Sequence, residues 1–395
     1  MLRSLFSGIS GLRSHQTMLD VTGNNIANVN TTGFKSSQTQ FQDTLSQLVT
    51  GAGAAQAGTG GTNPAQVGLG VRVAGITTSF TQGASQLTGR STDMMIQGDG
   101  FFVVRKGAET FYTRAGSFDF DSTGQMTLPG DGALVQGWMA VNGVIDTNGP
   151  VTDLKVPAGT VMGAVASTTG SFVGNLPSDA AENTVKSLDL EVYDAQGNAR
   201  DITLTLTKTA TGWTMSATDG TASYPATGTE AMTFNADGAL TSTGSFTLGG
   251  VTVDLSTITG YASVDTVATG TQNGRPAGTL QSFQLGADGT ITGSFSNGLK
   301  QAIGRIALAN FTNPAGLQKA GGSLFSSSVN SGDAQVGVAG AGGRGSLAGG
   351  ALEMSNVDLS SEFTSLIIAQ RGFQANSRVI TTSDEVLQEL VNLKR

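Results

Sequence analysis

Cysteine is absent from the 395-residue sequence, and His15 is its single histidine. Without cysteine the chain has no disulfide framework, no thiolate metal site and no cysteine nucleophile. One imidazole cannot form a two-histidine zinc site, and it permits at most one histidine-dependent triad. We therefore expect no metal and no cofactor, and few classes of catalysis remain open.

Charge is also scarce. Lys and Arg number 21 and Asp and Glu 29, so that charged residues are 13% of the chain and the net charge is −8. An average soluble protein has roughly 25% charged residues. With few bases and only 6% aromatics, the chain lacks the positive surface that nucleic acid requires, and no nucleic-acid partner is expected.

Long apolar runs are missing as well. No run reaches the roughly 18 residues of a transmembrane helix, so no membrane span is predicted. Residues 1–10 interleave polar and apolar side chains, whereas a cleavable signal peptide needs an unbroken apolar stretch. If the chain is exported, it must use another route.

Glycine, in contrast, is plentiful. Its 57 residues are about twice the usual share of roughly 7%, while proline numbers 8 and the hydrophobic share is 38%. The lack of a G-X-Y period excludes collagen, and the apolar content argues against disorder. At about 150 residues per domain, the length predicts two or three domains.

Both ends of the chain carry the three- and four-residue spacing of amphipathic helices. The apolar positions of the first are Leu5, Ile9, Leu12, Leu19 and Ile26. Those of the second are Leu359, Phe363, Leu366, Phe373, Ile380 and Leu387. Because an isolated amphipathic helix is unstable in water, we predict that the two pair as a coiled-coil-like stem, with other copies of the chain covering the rest. A helical hairpin that caps a domain core is the alternative.

The middle of the chain has the alternating, Val-, Ile-, Thr- and Phe-rich runs of β-strands, among them 94–105 and 133–141, separated by Asp-Gly turns. The predicted fold is mainly β with terminal helices and two nested all-β domains of barrel or sandwich type. The predicted parts are a helical stem (1–30 and 355–395), linker regions (31–70 and 331–354), an inner β domain (71–145 and 275–330) and an inserted outer β domain (146–274). The Gly/Ala/Thr-rich stretches 50–70 and 331–350 are interpreted as flexible.

Three patterns suggest chemistry and are discounted. Residues 340–345 match G-x-G-x-x-G, but a dinucleotide fold also needs a second strand where a helix is predicted. The run 119–124 begins like a calcium loop, yet Gly130 stands where a bidentate Glu is required. His15 has no partner acid nearby and is interpreted as a solvated or interface residue. No catalytic site is predicted.

Three sets of residues form motifs. The N-terminal motif comprises Asn24, Asn25, Ala27, Asn28, Thr32, Gly33, Phe34 and Lys35. The C-terminal motif comprises the run 355–359 and, farther on, Gln370, Arg371, Phe373, Gln374 and Asn376. The third set lies in the β region, at 96–103, 112–118 and 135–138. The motifs at the two ends resemble those of the bacterial flagellar rod and hook axial proteins, and the third set resembles that family's shared β domain; the likeness covers about 1–145 and 275–395.

The resemblance implies paired terminal helices in an inner tube, a β domain outside them and export through the flagellar type III apparatus. It implies a helical homopolymer at the cell exterior whose partners are the distal rod protein, the hook cap and the hook–filament junction proteins. Because family members with a large inserted domain are of the hook type, 146–274 favours a flexible joint that transmits torque. A rigid distal-rod-like shaft is the alternative, and a β-rich adhesin or secreted hydrolase is a further one.

The motif residues also have predicted local roles. The amides of Asn24, Asn25 and Asn28 compete with the helical backbone and are expected to close the last turn of the first helix. Gly33 is expected at its left-handed C′ position, with Phe34 as an apolar anchor just beyond it. The apolar set of the second helix is expected to pack on that of the first, in the same or an adjacent subunit.

Overall fold

The computed structural model describes residues 2–56, 58–157 and 159–392. The chain forms two compact units. Unit 1 comprises Met1–Pro157, Phe283–Thr292 and Ala302–Arg395, and unit 2 comprises Ala158–Ser282 and Gly293–Gln301. Unit 2 is therefore inserted into the sequence of unit 1.

Helices α1 and α2 are the long helices of the described chain. They span Leu2–Ala27 (26 residues) and Leu359–Asn392 (34 residues), and a short 3-10 turn spans Pro314–Gly316. The Asp358 carboxylate accepts a hydrogen bond from the Ser360 N–H at 2.9 Å, which caps the start of α2. Both helices belong to unit 1, so the prediction of two terminal helices is confirmed.

The strands of unit 1 are short and numerous. Those before the insertion are β1 (Ser37–Asp43), β2 (Ser46–Thr50), β3 (Ala65–Gly68), β4 (Val71–Thr78), β5 (Ser85–Leu87), β6 (Met94–Gln97), β7 (Phe101–Lys106), β8 (Glu109–Thr113), β9 (Asp119–Phe120), β10 (Met126–Leu128), β11 (Ala133–Val141), β12 (Val144–Ile145) and β13 (Thr152–Asp153).

The remaining strands follow in chain order. They are β14 (Val161–Met162), β15 (Thr169–Asn175), β16 (Val185–Tyr193), β17 (Ala199–Thr209), β18 (Gly212–Thr218), β19 (Ser223–Tyr224), β20 (Glu230–Met232), β21 (Ser245–Leu248), β22 (Val251–Asp254), β23 (Ile258–Thr259), β24 (Ala268–Gln272), β25 (Gly278–Leu285), β26 (Thr290–Phe295), β27 (Lys300–Ile306), β28 (Leu308–Asn310), β29 (Gln318–Gly321), β30 (Leu324–Ser326), β31 (Gln335–Gly337), β32 (Ser346–Gly349) and β33 (Ala351–Glu353).

The main sheet of unit 1 holds β11, β7, β8, β30 and β29 in that spatial order. Aromatic side chains fill its core: Phe101 lies edge-on to Phe311 with ring centroids 5.8 Å apart, and Tyr112 lies edge-on to Phe311 at 4.7 Å. Trp138 and Phe325 belong to the same buried cluster. Edge-to-face rings add to the free energy of area burial, so this cluster anchors the unit that carries the helices.

The two linker regions differ from the prediction. In 31–70, β1 pairs with β4, and β2 pairs with β3 as an exposed hairpin. In 331–354, β31, β32 and β33 pair with β28, β6 and β5 respectively. The flexible-linker interpretation of 331–350 is therefore corrected: backbone pairing, which composition does not report, ties this glycine-rich stretch into unit 1.

Unit 2 is a two-sheet sandwich. One sheet orders its strands β21, β22, β15 and β23, with β24 also on β15, and the other orders them β16, β17, β18 and β19, with β20 on β18. Their inner faces share one core around Trp213 and Phe172. On β17 the buried residues Ile202, Leu204 and Leu206 alternate with outward threonines, the period of two that a one-sided strand requires.

Candidate self-assembly site

Helices α1 and α2 pack against each other antiparallel along a line of small and polar residues. A Cβ atom on Gly8 would lie 3.3 Å from Ile380, and one on Gly11 would lie 2.6 Å from the Asn376 amide oxygen. Farther along α1, the His15 ring lies against Gly372, where a Cβ atom would come within 2.5 Å of it. These close approaches set the register of the pair.

The predicted apolar positions flank this line. Those of α1 are each half-buried: Leu5, Ile9, Leu12, Leu19 and Ile26. On α2, Leu366, Phe373, Ile380 and Leu387 are half-buried, while Leu359 and Phe363 are exposed. Ile380 of this set lies against Gly8, so the line where the two helices meet includes a predicted apolar residue beside glycine, histidine and asparagine. Contacts of the leucine-rich faces with other subunits stay a prediction.

Exposed apolar side chains are left on α2, on both sides of the line where it meets α1. Phe363 is 51% exposed and Ile367 is 55% exposed. Further exposed apolar residues of this helix are Ile368, Val379, Val386, Leu390 and Val391. Large apolar side chains gathered on one element of a water-facing surface indicate a contact surface.

Replacing Gly11 with alanine is expected to loosen the helix pair. The new Cβ would lie 2.6 Å from the Asn376 amide oxygen, so this amide must turn away and give up its hydrogen bond to the Gly372 carbonyl at 2.8 Å. Overpacking of this kind costs about 1–3 kcal/mol, against up to about 1 kcal/mol that alanine adds in helix propensity. Gly23 of the same helix is the matched control, since nothing lies within 4 Å of a Cβ there, and Gly23→Ala should gain up to about 1 kcal/mol of helix propensity. Thermal loss of the helical circular dichroism signal should move in opposite directions for the two variants; a parallel shift would contradict the tight seam.

Two asparagines fasten the base of the stem to the ends of β1 and β4. The Asn25 amide nitrogen donates to the Ser37 carbonyl at 2.8 Å and to the Glu362 carboxylate at 2.9 Å, and its oxygen accepts from the Ser37 N–H at 3.0 Å. Asn356 donates to the Ser79 carbonyl at 2.9 Å and accepts from the Ser36 N–H at 2.8 Å. Burial raises the pKa of Glu362, against the opposing effect of the Asn25 hydrogen bond.

A buried charge cluster lies beside these asparagines. The Lys35 ammonium donates to the Glu353 carboxylate at 2.7 Å, and both side chains are 0% exposed. Arg114 approaches the other Glu353 oxygen at 3.4 Å, and the Gly83 N–H donates to the carboxylate at 2.9 Å. Burial lowers the pKa of Lys35 although Glu353 acts to raise it. The cluster joins a residue before β1 to one at the end of β33.

Gly33 has the predicted left-handed backbone, with φ of +69°, but its position relative to α1 is corrected. The helix ends at Ala27, where the Asn28 amide donates to the Asn24 carbonyl at 2.9 Å, so Gly33 is too far along the chain to be its C′ residue. A Cβ at Gly33 would lie 2.5 Å from the Ala115 backbone nitrogen. Close backbone approach is the reason for glycine here.

The other motif residues fall into two groups. Phe34 lies under the Lys319 ammonium, 4.9 Å from the ring centroid, and burial lowers the pKa of that lysine. Thr32 is half-buried at the same base. The exposed group is Asn24, Ala27, Gln370, Arg371 and Gln374; of these, Asn24 accepts a hydrogen bond from the Asn28 amide at 3.4 Å.

Several residues of this site do not follow from the sequence pattern. Arg114 and Asn356 lie inside the motif runs 112–118 and 355–359, and Glu362 is the acidic residue in the first turn of α2, but no pattern brings their side chains together. Nothing in the local sequence around Arg114 or Glu353 indicates that the two side chains are buried together, and Lys319 carries no signal at all.

Two negative findings bound the chemistry of the site. Among residues 2–56, 58–157 and 159–392, no helix is long and apolar enough to cross a membrane. Over the same residues, no group of three or more histidines and carboxylates is placed to hold a metal ion.

Four family models match the chain, and together they define the class of protein. They are the flagella basal body rod protein model at residues 5–35, the flagellar hook protein FlgE/F/G D1 domain at 95–172, the flagellar basal body protein FlaE D2 domain at 165–301 and the flagellar basal body rod FlgEFG protein C-terminal model at 348–393. The two rod-protein models cover the helical ends of the chain, and the D1 and D2 models cover its β region and the inserted unit. The class is that of the flagellar rod and hook proteins.

Full-length relatives narrow this class. The flagellar hook protein FlgE of Borreliella burgdorferi is 40% identical, with all of both chains covered, and that of Treponema pallidum is 39% identical over the same shares. The flagellar basal-body rod protein FlgG of Bacillus subtilis is 36% identical, also with both chains fully covered. The chain belongs to the flagellar hook protein FlgE family.

Proposed function

We propose that this chain is a structural subunit of the bacterial flagellar hook and that it polymerises through its paired terminal helices into a tube. The observation that carries the proposal is the set of exposed apolar side chains on α2, with Phe363 and Ile367 more than half exposed in the single chain. Burying the exposed half of such side chains is worth about half of the 1.5–3 kcal/mol for full burial, which favours contact with further copies.

A second exposed surface, which begins beside Ser10 in the N-terminal half of α1, supports assembly. The hairpin formed by β2 and β3 is exposed along both strands, and its large apolar side chains Leu48, Val49 and Val67 face water. A lone two-stranded hairpin is marginally stable in water. Neighbouring subunits would cover it in the tube and stabilise it there.

Torque transmission in a curved tube requires contacts that shorten and lengthen during rotation. The outer β unit suits such contacts because hydroxyl side chains line its surface strands: on β17, Thr203, Thr205 and Thr207 point away from the core. Ion pairs are present as well, between Lys186 and Asp265 and between Arg200 and Asp219, and contacts that slide would have to avoid breaking them. Hydroxyl surfaces can exchange hydrogen bonds with water as they slide, whereas buried ion pairs are costly to separate. The tube would therefore act as a universal joint.

The predicted domain plan is part of this proposal. It has a stem (1–30 and 355–395), two joining regions, an inner β domain (71–145 and 275–330) and an outer β domain (146–274). The division of the chain into unit 1 and the inserted unit 2 supports it.

Partners and location follow from the same proposal. The subunit would bind itself, the distal rod protein, the hook cap and the hook–filament junction proteins, and would leave the cell through the flagellar type III export apparatus without a cleaved signal peptide. Its place is the flagellum, at the cell exterior. No catalytic role is proposed.

Electron microscopy of tubes assembled from the purified chain tests the proposal. Short curved tubes are expected. Straight tubes would favour a rigid rod-like shaft. The 36% identity over the whole length of the Bacillus subtilis FlgG protein supports this alternative. No polymer under any assembly condition, together with export through a different pathway, would contradict both.

A further inference from the structure

Asparagine followed by glycine occurs four times, at Asn142, Asn148, Asn273 and Asn297. In this pair the glycine nitrogen can attack the asparagine side-chain carbonyl carbon, because glycine has no side chain to obstruct it. The reaction needs the turn to open, since the attacking nitrogen must reach the Cγ atom. The surroundings of each pair therefore decide which one reacts.

Asn142 and Gly143 form the two-residue turn between β11 and β12. Their φ angles are +53° and +82°, typical of a type I′ hairpin turn. The hairpin is held by two residue pairs, Ala140 with Ile145 and Val141 with Val144. Val141 is 74% exposed and Val144 is 73% exposed, so little buried area opposes opening of this turn.

The Asn142 side chain is also free within the described chain: it makes no hydrogen bond to any residue that the structure describes. The Asn273 oxygen, in contrast, accepts from Thr168 N–H at 2.9 Å and its nitrogen donates to the Thr168 hydroxyl at 2.7 Å. The following Gly274 N–H, which would be the nucleophile, is itself bonded to Gln272 at 2.5 Å.

The other two pairs are restrained as well. The Asn297 amide donates to the Pro276 carbonyl at 3.0 Å and accepts from the Leu299 N–H at 3.1 Å. At Asn148 the backbone N–H is bonded to the Asp146 carboxylate at 2.9 Å, and the next carbonyl, of Gly149, accepts from the Trp138 ring N–H at 2.9 Å. Both turns are thus fastened to neighbouring side chains.

We propose that Asn142 is a site of spontaneous deamidation that ages this protein. The Gly143 nitrogen forms a bond to Asn142 Cγ, the Cγ–Nδ2 bond breaks, and the amide leaves as ammonia with the proton that the Gly143 nitrogen gives up. Water then adds to either carbonyl of the cyclic imide. The products are aspartate and isoaspartate; the sum is one water consumed and one ammonia released.

Isoaspartate changes the turn itself. It places an additional methylene in the main chain, so the two-residue turn geometry between β11 and β12 is lost. Ile145, which follows in β12 and packs on the aromatic core of unit 1, then loses its pairing partner. Both products also add a negative charge between two exposed valines.

Peptide mapping by mass spectrometry, after incubating the full chain in mildly alkaline buffer, tests the proposal. Conversion at Asn142 is expected to be at least roughly tenfold faster than at Asn273 or Asn297, since about 1.4 kcal/mol less opening free energy gives a factor of ten. In denaturant the differences should shrink, and Asn142→Gln should remove the signal.

Two outcomes would overturn it. One is conversion at Asn148, Asn273 or Asn297 as fast as at Asn142 in the folded chain. The other is the same preference for Asn142 in denaturant, which would trace the preference to local sequence rather than to the opening of the β11–β12 turn. The result does not depend on whether the chain polymerises, so it is separate from the proposed function.

Discussion

Replacing Phe363 and Ile367 together with serine is expected to raise the critical concentration for tube assembly by roughly tenfold to a hundredfold. Both side chains are about half exposed in the single chain. In a tube the exposed half would be buried too, so that about half of the 1.5–3 kcal/mol for full burial is at stake at each residue, or about 1.5–3 kcal/mol per subunit. Every 1.4 kcal/mol is a factor of about ten in the equilibrium constant.

Sedimentation of assembled tubes at a series of protein concentrations measures this effect. Gln388→Ser is the matched control, because Gln388 is an exposed polar residue of the same helix, and it should leave the critical concentration nearly unchanged. The monomer's circular dichroism should be the same for both variants. Normal assembly by the Phe363 and Ile367 variant would remove α2 from the assembly surface.

The substitution Glu353→Gln is expected to destabilise unit 1 by about 3–5 kcal/mol, the cost of breaking a buried ion pair. The Glu353 side chain is 0% exposed and pairs with both Lys35 and Arg114. The substitution therefore leaves two buried cations with no carboxylate between them. The base of the stem should open with it, because Glu353 also accepts the Gly83 N–H. The free energy of unfolding, from denaturant titration, reports the loss.

Unit 2 serves as an internal reference in the same titration, since its core around Trp213 contains none of these residues. Asp119→Asn is the surface control: it breaks the exposed pair with Arg90 at 3.4 Å and should cost no more than about 1 kcal/mol. If the two variants lost equal amounts of unfolding free energy, the buried cluster would not be what holds the segment before β1 to the end of β33.

Helices and many strands followed from local pattern. The period of three and four residues at the chain ends corresponds to α1 and α2, and the predicted strand at 133–141 coincides with β11. A single run predicted at 94–105 is divided into β6 and β7, with Gly98 and Gly100 at positive φ between them. Glycine's access to that backbone region breaks a run that looks continuous in hydrophobicity.

The line along which the helices meet did not follow from the same pattern. Hydrophobic period identifies the faces that avoid water, and those faces are the leucine-rich ones. The single chain instead joins its helices where Gly8, Gly11 and Gly372 let the backbones come close. Apolar side chains such as Phe363 and Ile367 on α2 are thereby left exposed. The hydrophobic period predicts that Phe363 is buried between the helices.

Local chemistry is enough to make this chain mainly β between two amphipathic helices, low in charge and without cysteine, because composition and period act over a few residues. Tertiary structure alone decides that Lys35, Arg114 and Glu353 share one buried site, that the glycine-rich segment 331–354 is paired into a sheet, and that Asn142 lies free while Asn273 and Asn297 are held. Most of these outcomes depend on contacts between residues far apart in the sequence, such as Lys35 and Glu353. The hydrophobic period of a short segment does not show which distant segment it will contact.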